Sequence, residues 1–306
     1  MRAIFWKELG DHFGRRRFGL LLGLVVLGAV WGSVIDLDAV ATGGTGFFFL
    51  DVFTTTAGVP ISLVAFISFF GPVIGIALGF DSINSERTQG TLARVLAQPV
   101  YRDAVFNGKF LAALVTLTVV LLSLGMSAVG VTMYRLGIPP QGEEIIRLVG
   151  FGGVAIAYLA FWLSLAMTAS IFFRSAVASA LVSIGVWIAA SFFIVLAATT
   201  IAERLVPEIN TDQDAIDRFN TELWISRASP GELFSEASGI LLDPIFGRIV
   251  GLLANPDRVE GLQIASPVAA SQSLQLVWPH IVVLVGMVAV LLAISYVRFM
   301  REEIRA

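Results

Sequence analysis

The groups in this chain that could do chemistry are few. It holds two histidines, His12 and His280, 23 carboxylates and no cysteine. No HExxH or GxSxG motif occurs, and no G-x-x-x-x-G-K-[ST] loop is present to cradle a phosphate. The histidines stand near opposite ends of the chain, and the six methionines form no cluster with metal-ligand spacing. Without cysteine there are no disulfides and no thiolate metal sites. General acid–base catalysis inside the apolar blocks would need a carboxylate pair there, and none contains one. The regular spacings belong to small residues instead. Gly71, Gly75 and Gly79 repeat every four positions, as do Ser175, Ser179 and Ser183, with Ser191 two helical turns further on the same side. Small residues at that spacing let helix backbones approach closely in lipid, where packing drives association.

The elements carrying these stripes are membrane spans. Mean hydropathy is +0.85, with 57% hydrophobic residues and 14% charged, whereas soluble domains carry about 25% charged residues. Six apolar blocks reach the roughly 20 residues a helix needs to cross a bilayer: 18–35, 59–80, 110–133, 148–173, 176–198 and 277–297, none containing Asp, Glu, Lys or Arg. The stretch Arg15–Ser33 resembles a signal peptide; five later spans read it as an anchor that stays. With both ends on one side, that side holds 13 of the 20 Lys+Arg and 7 of the 23 Asp+Glu. Basic excess marks the cytoplasmic side, so both termini are expected in the cytoplasm. No basic stripe suits nucleic acid.

Three further elements flank the spans. Phe5, Leu9 and Phe13 recur at helical spacing ahead of the first span, which predicts an amphipathic helix at the inner interface, its polar side carrying Lys7, Glu8 and Asp11. Between spans two and three, Thr91, Leu92, Val95 and Leu96 make a short helical edge, closed by Pro99 and separated from span two by Gly90. Two turns are marginal alone, so a partner is expected to hold them. The outer segment 199–276 is acidic, and Ser229, Pro230 and Glu232 predict a capped helix start within Ser229–Leu253. The Phe47–Phe49 run of the first outer loop is expected to dip into the interface.

No ionisable Asp, Glu, Lys or Arg lies within a span, which leaves a proton-driven carrier without its residues; a sodium site of carbonyls and hydroxyls is not excluded by composition. With no phosphate loop of its own, uphill transport must draw energy from another polypeptide.

The stretch KELGDHFGRRRFG (7–19) and the run GFDSINSERTQGTLARVLAQPVYRDAVFNGKF (Gly79–Phe110) resemble the ABC-2 family of ATP-binding-cassette transporter permeases, in its NosY-like branch. The order Glu86, Gly90-Thr91-Leu92, Pro99, Arg102 and Gly108-Lys109 carries the likeness. The resemblance implies an all-α integral membrane protein, a single transmembrane domain over 1–306. Its parts are six spans, an N-terminal connecting helix with Phe5, Leu9 and Phe13, a cytoplasmic coupling helix, and a helical outer segment. Glu86, Arg87, Gly90, Thr91, Leu92, Val95, Leu96 and Pro99 would meet the ATPase. Gly71, Gly75, Gly79, Ser175, Ser179, Ser183 and Ser191 would face a second permease copy or a homologous permease and line the path. Mg-ATP would sit on separate ATPase subunits; this chain would hold no cofactor, no metal and no catalytic residue. The place implied is the cytoplasmic membrane of a prokaryote. The resulting expectation is a permease exporting or extracting a hydrophobic or amphipathic substrate. The alternative is an ATPase-driven mechanotransmitting scaffold that acts on an extracytoplasmic partner without moving a solute. A copper role finds no support in the sequence, with no cysteine, two distant histidines and no methionine cluster.

Overall fold

The structure, a computed structural model, describes residues 2–14, 34–43, 46–88, 102–209, 211–247 and 268–301, with positions 19, 23, 26 and 30. Among these every regular element is a helix: α1 (Arg2–Gly14), α2 (Leu37–Gly43), α3 (Phe48–Thr54), α4 (Leu63–Gly79), α5 (Asn84–Thr88), α6 (Arg102–Leu136), α7 (Gly142–Phe172), α8 (Ala176–Ile188), α9 (Ile194–Leu205), α10 (Asp212–Ser226), α11 (Pro230–Leu242) and α12 (Ala270–Arg301). A π-helical turn, Ala189–Phe193, joins α8 to α9.

Five stretches are long and apolar enough to cross a membrane: Leu63–Thr88, Asp103–Leu136, Gly142–Phe172, Ala176–Leu205 and Ala270–Arg301. The predicted first span, 18–35, lies largely outside the described residues. The other five predicted spans each coincide with a helix, and most of those helices run further than the apolar block. Hydropathy reports the part of a helix suited to lipid, while helical hydrogen bonding continues through Arg102–Lys109 and Gly142–Arg147. Local signals set the starts. Ser62 Oγ accepts from Ala65 N at 3.2 Å ahead of α4, and Gln141 and Glu144 form a capping box for α7.

Helix α7 is the hub, with Val154, Trp162, Leu163, Ala166 and Met167 buried along it. Its most apolar stretch is 61% buried, against 17% for the α8–α9 span. The glycine stripe faces this hub. A Cβ at Gly75 would lie 3.1 Å from Leu163 N and 3.2 Å from Leu159 O, and one at Gly79 2.8 Å from both Leu163 O and Ala166 Cβ. Helix α4 therefore lies almost backbone to backbone on α7. The expectation that Gly71, Gly75 and Gly79 meet a second copy is corrected here: the same chain fills that face.

The side of the bundle away from the termini is capped from within. Phe49 is buried in α3, so the Phe47–Phe49 run enters the core instead of the interface. Helix α11 stacks Phe234 on Tyr158 with ring centroids 4.6 Å apart. Arg147, 0% exposed, donates to Leu241 O at 3.1 Å, to Ser273 Oγ at 3.0 Å and to Val268 O. It thereby fastens α7 to the end of α11 and the start of α12. The predicted start of α11 is observed, without its capping box: Ser229 makes no side-chain cap bond and its Oγ is buried without a partner. Phe299 of α12 packs near Phe106 of α6 at 6.3 Å, and α1 packs on the same end of α6. Both ends of the described chain thus lie on one side of the bundle.

Candidate functional site

The residues that could pass motion into the bundle gather on this termini side. Helix α4 ends at Gly79, and a turn leads into α5. Ser170 Oγ, near the end of α7, accepts from Ile83 N at 3.1 Å and Asn84 N at 3.2 Å. Arg87 Nη1 donates to Ile171 O at 3.1 Å. These bonds satisfy orphan groups at one helix start and one helix end. They also place a cation at the negative end of the α7 dipole. The short α5 is thereby nailed to the hub.

The centre of the site is Lys109, 5% exposed on the first turns of α6. Its Nζ lies 2.9 Å from Glu8 Oε1 of α1 and 2.8 Å from Glu86 Oε1 of α5. One ammonium therefore joins three elements far apart in sequence. Burial pushes the Glu8 carboxyl up, but the charges and hydrogen bonds of Lys109 and Lys7 outweigh it and hold the group below its ordinary value. Gly108 lets α1 come close enough for this contact, since a Cβ there would sit 3.0 Å from Ile4 Cγ2. A tie of this kind orients its elements strongly, because losing one partner strands a charge away from water.

Of the residues anticipated to contact an ATPase, Glu86 and Arg87 fall in this knot. Gly90, Thr91, Leu92, Val95, Leu96 and Pro99 lie outside the described residues. In α1, Phe5 and Leu9 are half-buried and Phe13 is exposed. Glu8, expected on the polar side, turns inward instead. Ser179 and Ser183 are buried inside the chain, and Ser183 Oγ donates to Ser179 O at 2.8 Å. A second copy cannot reach them, which corrects that part of the serine stripe; Ser175 is exposed. Ser191, in the π turn, borders a cleft of about 330 Å³ between α4, α8 and α11, together with Ser62, Ser68, Phe69, Trp187 and Ser235.

Reading residues by span missed Glu8, Lys109 and Ser170. Lys109 carried a signal, a lone cation one residue ahead of an apolar block and directly after a glycine. Also missed was a cluster on the side away from the termini, where Arg227 Nε and Nη2 donate to Glu236 at 2.8 and 2.5 Å. His280 Nε2 lies 3.0 Å from the same carboxylate. Burial alone would raise Glu236, but hydrogen bonds and charge from Arg227 and His280 bring it down to about 2. Among the described residues no three His, Asp or Glu side chains are grouped to hold a metal ion. The arrangement links elements mechanically.

The family model of the ABC-2 family transporter proteins matches residues 2–304. A protein of Pseudomonas aeruginosa named probable ABC transporter permease protein NosY is 31% identical over 150 residues, covering 48% of this chain and 49% of that one. Its namesake in Stutzerimonas stutzeri is 29% identical over 136 residues, covering 43% and 45%. The chain thus spans about half the length of the curated relatives it matches. With the family match running through nearly all of its residues, the chain belongs to the ABC-2 family of transporter proteins.

Proposed function

We propose that this chain is the permease subunit of an ATP-binding-cassette transporter in a prokaryotic cytoplasmic membrane, with both termini in the cytoplasm. It pairs with a second copy or a homologous permease and with two separate ATPase subunits that bind Mg-ATP. The coupling segment Glu86–Pro99 seats Leu92 and Leu96 on the ATPase, with Glu86 and Arg87 in contacts at the rim. The carrying observation is Lys109, buried between Glu8 and Glu86. Through it, displacement of the segment after α4 reaches α1 and α6 together. The cleft at Ser191, with hydroxyls beside Phe69 and Trp187, suits an amphipathic substrate that is exported or extracted from the membrane.

The test is Leu92→Asp with Leu96→Asp. The pair should abolish substrate-stimulated ATP hydrolysis and co-purification of the ATPase while leaving the permease folded. Unchanged hydrolysis and co-purification would sink the proposal. A second reading, a mechanotransmitter acting on an extracytoplasmic partner, is favoured by the ties of α11 to α7 and α12 through Arg147, Glu236 and His280. Excising 207–226 separates the two: a transporter keeps nucleotide-dependent flux, whereas a scaffold loses its partner.

A further inference from the structure

Helices α7, α8 and α12 do not close on one another near their termini-side ends. Between them lies a half-open slot of about 260 Å³, walled by Leu165, Thr168, Phe172, Val182, Val186 and Ile294. Its wall is carbon only, although hydroxyl residues contribute to it. Thr168 Oγ1 donates to Ser164 O at 2.7 Å and pairs with Ser295 Oγ at 2.8 Å. Ser183, which also borders the slot, spends its hydroxyl on Ser179 O. The polar atoms are turned into the helices, leaving an apolar trough that runs roughly 10 Å from Phe172 back to Leu165 at 1.5 Å per residue.

The mouth of this trough is cationic. The Arg298 guanidinium lies over the Phe172 ring, 5.6 Å from its centroid. Arg174 follows Phe173 in the tight α7–α8 turn, and Arg301 stands one turn beyond Arg298; all three arginines are exposed. Among the described residues no carboxylate pairs with any of them. Several other cations are tied down by carboxylates, at Lys109, Arg147, Arg218 and Arg227. Guanidinium groups that meet no carboxylate among the described residues, beside a carbon-walled trough, match one ligand chemistry. Basic pockets between spans on the cytoplasmic side are suited to anionic lipid headgroups.

We infer that the slot between α7, α8 and α12 is a binding site for an anionic phospholipid of the leaflet on the termini side. One acyl chain lies along Leu165, Val182 and Ile294, and the phosphate is held by Arg174 and Arg298. A seated lipid completes the packing of the α8–α9 span, the least buried of the described spans, against the hub. The site rests on the membrane reading alone and is independent of what, if anything, is transported.

The experiment is native mass spectrometry of the intact protein, equilibrated in detergent with equal amounts of dioleoyl phosphatidylglycerol and dioleoyl phosphatidylcholine. The wild type should retain phosphatidylglycerol preferentially. Arg174→Gln with Arg298→Gln should weaken that retention by roughly thirtyfold, at roughly fivefold per arginine, and the matching lysine pair should restore most of it. Val182→Trp, on an exposed rim position, should displace both lipids. Equal retention of the two lipids by the wild type overturns the inference, as does preference surviving the glutamine pair. Retention unaffected by Val182→Trp places the lipid elsewhere and also overturns it. Should Val182→Trp fail to fold, the arginine arm decides alone. Because the chain has no cysteine, Val186→Cys gives a clean final arm. Efficient disulfide dimers in the membrane would mean that a second copy covers the slot.

Discussion

Placing alanine at Gly71, Gly75 and Gly79 should destabilise the protein in a graded order set by what each new methyl meets. In a helix interior the exchange by itself gains about 1 kcal/mol, while forcing a methyl into a packed core costs about 1–3 kcal/mol. At Gly71 the nearest atom is Leu159 Cδ2 at 2.8 Å, the tip of a rotatable side chain. It can swing aside, so the net change is about zero. At Gly75 the neighbours are Leu163 N, Trp162 Cβ and Leu159 O at 3.1–3.2 Å, two of them backbone, for a net loss of about 1 kcal/mol. At Gly79 the methyl meets Leu163 O and Ala166 Cβ at 2.8 Å and Met167 N at 3.1 Å. None of these can rotate away, α4 must part from α7, and the loss reaches about 2 kcal/mol. Thermal unfolding in detergent, followed by tryptophan fluorescence, should rank the midpoints wild type and Gly71→Ala first, then Gly75→Ala, then Gly79→Ala. Three indistinguishable midpoints, combined with a weakened dimer, would return the stripe to an interface between copies and refute the packing reasoning.

Lys109→Met leaves Glu8 and Glu86 facing each other and should cost about 3 kcal/mol, the low end for breaking a buried pair because both carboxylates keep some solvent. Adding Glu8→Gln and Glu86→Gln should recover most of the unfolding midpoint, while the proposed coupling to a partner's ATP hydrolysis stays lost. Arg147→Met should strip donors from Leu241 O and Val268 O, speeding amide exchange in α11 far more than in α4. Glu236 has a folded pKa of about 2, below the ordinary 4.5. Its stabilisation is therefore complete above pH 4.5 and is lost as the pH falls towards 2. A midpoint measured from pH 7 to pH 3 should drop on the acid limb, and Glu236→Gln should flatten that limb.

The spans were legible because hydrophobic blocks long enough for a bilayer have few other uses. Phe110–Met133 located α6 without revealing its true start, since the polar turns Arg102–Lys109 carry no hydropathy signal yet go on hydrogen bonding as helix. The glycine spacing announced a close helix contact correctly but could not name the neighbour. The face of α4 was readable, whereas its opposition to Leu159, Leu163 and Ala166 depends on how five helices fold back on one another. Glu8 looked solvated because its own helix offers no cation directed inward; the cation comes from a residue on α6. The same holds for Glu236 and His280, on separate elements of the half away from the termini. Long-range ion pairs leave no periodic trace, and so the centre of the site stayed hidden while its scaffold did not.

Helix α6 runs 35 residues with no proline in it, about 52 Å at 1.5 Å per residue, against a hydrocarbon core of about 30 Å. It is an unjointed beam overhanging the bilayer. At one end Lys109 grips α1 and α5; at the other, Arg135 Nη1 donates to Ile35 O at 2.7 Å, just ahead of α2. A tilt of only about 5° swings one tip by roughly 4.5 Å relative to the other over that length. A nudge on Glu8 or Glu86 would therefore reach the far rim with no relay of side chains in between.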